Sequence, residues 1–169
     1  MKMGQDIELN IIKCMLVAGL FYLAIPNVFA STTLPHLLKL GDSLTQVKHK
    51  LSEKCEALTV QRLPRLLSVA SNNQYLIKCQ GFEYLGFQHS IELMFSDNQL
   101  DVIQILGTQA EHEDLRILLK QEYGTPSYSS KEVVYYQDLG ISLRTKPHNI
   151  TFVSERVVRE YSRFSNGLR

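Results

Sequence analysis

Residues 90–106 read Ser90-Ile91-Glu92-Leu93-Met94-Phe95-Ser96-Asp97-Asn98-Gln99-Leu100-Asp101-Val102-Ile103-Gln104-Ile105-Leu106. Ile91, Leu93 and Phe95 alternate with Ser90, Glu92 and Met94, the two-residue period of a half-buried strand. Asp97-Asn98 supplies two residues that tolerate positive φ, so the spacing predicts a tight hairpin. The return strand changes phase. Leu100 and Val102 flank Asp101, yet Ile103 and Ile105 then flank Gln104, which predicts a bulge near Val102–Ile103 or partial cover on both faces.

Helical text lies on either side of this hairpin. Ser43 and Gln46 form a capping box, followed by Leu44, Val47 and Leu51 on one stripe, predicting a helix over about 44–54. Strand-like Leu58–Val60 and Tyr75–Cys79 follow, separated by a turn at Ser71-Asn72-Asn73. Thr108 and Glu111 form a second box, with a stripe of Leu115, Leu118, Leu119 and Tyr123. Gly124 in a left-handed conformation and Pro126 are expected to end that helix. Val133–Tyr135, Ile141–Leu143 and Ile150–Val153 then read as strands, and a short helix is expected at about 155–164 behind Ser154. The plan is helix, meander, helix, meander. It predicts an α+β fold of tandem helix-plus-antiparallel-meander units in a two-layer helix/sheet sandwich, with units at 31–107 and 108–169.

Residues 1–30 read as a secretory signal. Lys2 and Lys13 bias the leader positive, residues 14–25 (CMLVAGLFYLAI) are unbroken apolar text, and Val28-x-Ala30 suits a signal peptidase. The apolar run falls short of the roughly 20 residues of a membrane span, although retention as an anchor is the alternative to cleavage. Removal takes Cys14 with it and leaves Cys55 and Cys79. In an oxidising compartment this even pair reads as a disulfide stabilising by about 3 kcal/mol; the alternative is two separate buried thiols. The protein is expected to be periplasmic or secreted, with no membrane association indicated after cleavage.

The charge balance, 18 basic against 17 acidic residues for a net +1, gives no field that would draw in nucleic acid. No cofactor, metal or catalytic motif stands out. His112 lies in Glu111-His112-Glu113-Asp114, where the acids suit the first turn of a helix and splay too widely to share an ion. His148 and Asn149 fall in a predicted turn, and the cysteines form no Cys-x-x-Cys pair. Aromatics crowd residues 75–87 and 123–136, and about half of them should be core by alternation. Tyr84, Phe87, Tyr128 and Tyr136 are the candidates for an exposed, partner-binding set. Arg156, Arg159 and Arg163 form a basic run that either meets an acidic or phosphate-rich partner or is a solvated helix face.

Gly41-Asp42-Ser43-x-x-x-Val47-x-x-x-Leu51, the turn Ser96-Asp97-Asn98-Gln99-Leu100-x-Val102 and Leu119-x-x-x-Tyr123-Gly124-Thr125-Pro126 resemble the small exported β-lactamase-inhibitor-like and SmpA/OmlA-like modules. The chain departs from them in two ways: the first helix lacks a following Gly-x-Pro, and no lipid-attachment cysteine ends the leader. The resemblance implies protein binding rather than catalysis. The leading expectation is an exported, non-enzymatic protein-binding module. A structural subunit of a larger envelope-spanning assembly and a small hydrolase or ligand carrier are the alternatives.

Overall fold

The structure, a computed structural model, describes residues 33–167, so the leader 1–30 and Arg169 lie outside the described residues. Among the described residues three α-helices, α1 (Leu44–Leu51), α2 (Gln109–Tyr123) and α3 (Glu155–Gly167), accompany eight strands. These are β1 (Ala57–Leu63), β2 (Gln74–Tyr84), β3 (Phe87–Ser96), β4 (Gln99–Leu106), β5 (Tyr128–Ser129), β6 (Val133–Tyr136), β7 (Ile141–Thr145) and β8 (His148–Val153). All strands belong to one antiparallel sheet of order β1-β2-β3-β4-β8-β7-β6-β5. The protein is therefore α+β, and the two meanders meet through their last strands, β4 and β8.

The hairpin forms as its sequence predicts. Asp97 and Asn98 carry φ of 51° and 65°, and the Asp97 carboxylate accepts from the backbone N–H groups of Ser71, Asn72 and Asn73. Those three donors, Ser71 foremost, hold the carboxyl below its ordinary range. The phase change in β4 is a bulge at Asp101: Phe95 pairs with Leu100 and Met94 with Val102, leaving Asp101 without an opposite residue. Leu100 and Ile103 are both buried because the bulge restores the inward phase.

The capping boxes both form. Gln46 N–H donates to Ser43 Oγ and Ser43 N–H to Gln46 Oε1, while Glu111 Oε2 accepts from the Thr108 N–H and hydroxyl. Helix α1 stops at Leu51, short of 54, because the chain must turn to bring Cys55 to Cys79 and Glu56 N–H to Gln80 O. Gly124 has φ 77° and ψ −141°, so it leaves α2 with positive φ but outside the left-handed helical region. The two-residue strand β5 has no counterpart in the sequence reading, since Tyr128-Ser129 is too short for alternation to register. Helix α3 begins at Glu155 as expected and runs to Gly167.

One hydrophobic cluster holds Val47 and Leu51 of α1, Leu115 and Leu119 of α2, and the inward residues of the sheet from Ile77 to Phe152. Burying each large aliphatic side chain in it contributes on the order of 1.5–3 kcal/mol. The Cys55–Cys79 disulfide, with Cα atoms 5.4 Å apart, ties the end of α1 to the centre of β2. Closing a loop of sequence separation 24 is worth about 3 kcal/mol in the chain-entropy view.

Candidate functional site

The face of the sheet opposite the core carries one continuous row of register partners. Thr59 pairs with Lys78, Lys78 with Glu92, Glu92 with Gln104 and Gln104 with Thr151. Thr151 pairs in turn with Ser142, Ser142 with Tyr135 and Tyr135 with Tyr128. Neighbouring side chains in such a row stand about 5 Å apart and act together. The row begins with an ion pair, Lys78 Nζ to Glu92 Oε1 at 2.9 Å. It passes through amide and hydroxyl groups and ends in two tyrosines.

At its aromatic end the row forms the floor of a groove of about 820 Å³. Helix α3 supplies one wall through Val158 and Tyr161, and β5 bounds the other side with Tyr128. Arg144 also lines it. Tyr128 and Tyr161 are exposed by 57% and 59%. Rigid aromatic area is thus offered to solvent above a polar floor.

The sequence candidates separate. Phe87 is 60% exposed, at the β2–β3 turn. Tyr84, expected to be exposed, is only 5% exposed. The cause is the irregularity between Cys79 and Phe82, where Gly81 has φ 73°: the extra residue flips the phase of β2 and turns Phe82 and Tyr84 inward. Its hydroxyl donates to Thr33 O, and burial, with the charges of Tyr123 and Glu122 behind it, pushes the phenol well above its ordinary range. Tyr136, also expected outside, is 3% exposed; its hydroxyl donates to Gly124 O, and its ring meets Tyr123 edge-on at 5.9 Å. Burial raises its phenol as well. Strand β6 faces Val134 and Tyr136 inward, so Tyr135 is the tyrosine of the pair that lines the groove.

The basic run divides too. Arg156 anchors α3: its Nε and Nη2 donate to the two carboxylate oxygens of Asp101 at 2.7 and 2.5 Å, and Nη2 also reaches Ser96 O. Asp101 is wholly buried and accepts from Ser154 Oγ at 2.6 Å. The bond to Asp101 raises the guanidinium above its ordinary range. Arg156 is thus a structural clamp rather than a free contact. Arg159 and Arg163 are exposed and lie 2.8 and 3.8 Å from Glu155 and Glu160 on their own helix.

His112 is buried while Glu113 and Asp114 face solvent, as the splay of adjacent helical residues requires. Its ring lies 6.0 Å from that of His148. Among the described residues no group of three His, Cys, Asp or Glu side chains is placed to hold a metal ion, and no helix is long and apolar enough to cross a membrane. The sequence reading passed over Gln104, Tyr135, Thr151 and Tyr161. Strand alternation points to the outward positions, but joining them into one row requires knowing that β4 and β8 pair.

No curated protein and no solved structure matches this chain. A family model, the TP0088 domain, matches residues 36–163, which spans both meanders and the groove between β5 and α3. The chain belongs to the TP0088 domain family.

Proposed function

We propose that the protein is an exported, non-enzymatic binding module that docks a protein partner on the aromatic end of its outer sheet face. The observation that carries this reading is the tyrosine-ended row: Tyr128, Tyr135 and Tyr161 gather around one groove beside an edge strand. Tyrosines give large contact area for little lost rotamer entropy, and the edge strand β5 offers backbone groups to which an extended partner segment can add. The likeness to small exported inhibitor-like modules supports the same class of function.

Export rests on the leader text of residues 1–30 and on the cystine, which persists in an oxidising compartment. We read the two helix-plus-four-strand halves as a tandem duplication, with α1 and α2 layered over one face of a shared sheet. Sharing one core leaves the other face for recognition.

The amide and hydroxyl groups of Gln104, Ser142 and Thr151 favour a second reading, a carrier whose small ligand lies along the polar middle of the row. Replacing Tyr128 and Tyr135 together by alanine separates the two. A protein-binding module loses its partner in quantitative pull-down from the envelope fraction, with unchanged thermal stability. Retention of the partner by a folded double variant overturns the proposal.

A further inference from the structure

A second groove, of about 650 Å³, opens between the first turns of α2, the segment 129–131 and the turn joining β7 to β8. Arg116, Lys131 and Lys146 line it against the single carboxylate of Glu113. Three nitrogens of lining residues are buried and have no hydrogen-bond partner: His112 Nε2, Arg116 Nε and His148 Nδ1. Each such orphan costs about 1–3 kcal/mol, more where the group is charged, so three together call for a common partner.

The chemistry of the three selects that partner. Arg116 Nε is a donor only. The other nitrogens of its guanidinium each make one bond, Nη2 to Ser130 O at 2.7 Å and Nη1 to Ser129 Oγ at 3.4 Å, which orients the plane of the fork. Either imidazole can donate through its orphan nitrogen. A metal ion would need lone pairs and would face the Arg116 charge. An acceptor-rich anion meets all three donors and the two ammonium groups.

We propose that this groove binds a phosphate group, with Lys131 and Lys146 at the mouth and Arg116, His112 and His148 at the base. Phosphate fits better than carboxylate because its oxygens can accept from all five side chains and its double charge answers the surplus of cations. The base nitrogens are screened from solvent in the free groove, so binding includes a side-chain rearrangement there. Burial and the adjacent Arg116 keep the His112 imidazole below its ordinary range in the free protein. A bound anion reverses that preference, so phosphate binding is accompanied by proton uptake at His112, whose ring feels Arg116, Glu113 and His148, while Lys131 and Lys146 line the same groove.

The test is an NMR titration of the full mature chain with inorganic phosphate at constant ionic strength, with sodium acetate and glycerol 3-phosphate as parallel arms. The expected result is saturable movement of the His112 and His148 ring signals with phosphate, weaker movement with acetate, and, for a phosphomonoester source, equal or tighter saturation with glycerol 3-phosphate. Replacing Lys131 and Lys146 together by alanine should weaken phosphate about tenfold or more, because two charge-assisted contacts are lost. Arg159→Ala with Arg163→Ala removes the same net charge from exposed α3 and should leave binding unchanged. Non-saturating shifts equal to those of chloride, or equal losses in the two double variants, would overturn the proposal.

Discussion

The same cross-strand row has opposite chemistry in the two halves of the molecule. Over β2 and β3 it is Lys78 and Glu92, paired with each other; over β6 and β5 it is Tyr135 and Tyr128, ending at a groove. The first half is also tied internally, by Cys55–Cys79 and by the Asp97 carboxylate collecting three backbone donors. The second half has no cystine among the described residues and contains the buried imidazole and guanidinium nitrogens that lack partners. One half pairs its polar groups with each other, and the other keeps buried nitrogens without partners beside a groove. Under the proposed function, a sheet shared between them lets rigidity in one support recognition in the other.

The largest effect should come from the clamp that joins the halves. Arg156→Ala strips the wholly buried Asp101 of its cation and should cost about 3–5 kcal/mol in urea unfolding, releasing α3 and with it a wall of the groove. A loss confined to a few tenths of a kcal/mol would mean that the halves hold together without it. Removing the staple, Cys55→Ala with Cys79→Ala, should cost about 3 kcal/mol. Hydrogen exchange should quicken first in β1 and β2 while β6–β8 keep their protection; uniform loosening would erase the distinction between stapled and presenting halves.

Gly140→Ala probes the second half. At φ 64° a Cβ there would lie 2.6 Å from Val153 Cγ2 and 2.7 Å from Val158 Cγ2, so the substitution should cost about 1–3 kcal/mol and displace α3. Thermal unfolding with the groove variants in parallel will show whether α3 and the groove fail together.

Two titrations sharpen the picture further. Tyr84 holds its proton more tightly folded than unfolded, so the unfolded chain releases protons first as pH rises past 10.0, and stability falls there. Tyr84→Phe should flatten that decline. His112 behaves in the opposite sense: the unfolded chain takes up a proton near 6.5 while the folded chain resists, so stability is present above that pH and falls below it. His112→Gln should flatten the acid limb, and an unchanged limb would place the cause elsewhere.

Much of the architecture is legible in the sequence because it is written in local chemistry. Capping boxes, the Asp97-Asn98 turn and alternation locate α1 and α2, the central hairpin and the phase change that becomes the Asp101 bulge. The cysteine pair is legible once the leader is set aside. The site is less so, for identifiable reasons. A single glycine bulge at Gly81 reverses the facing of Tyr84, and the choice between Tyr135 and Tyr136 depends on which phase of β6 the core selects. Arg156 looks free until β4 brings a buried aspartate beneath it. The pairing of β4 with β8 is a long-range event, and only through it do the polar and tyrosine parts join into one row.

The most direct test of the central claim is site-specific photo-crosslinking in cells from Tyr128 and Tyr161, with the same probe at Lys78 as the comparison. The account predicts a discrete adduct with one envelope protein from both tyrosine positions, lost when Tyr135 is replaced by alanine, and none from Lys78. An adduct from Lys78 alone, or identical adducts from all three positions, would contradict it.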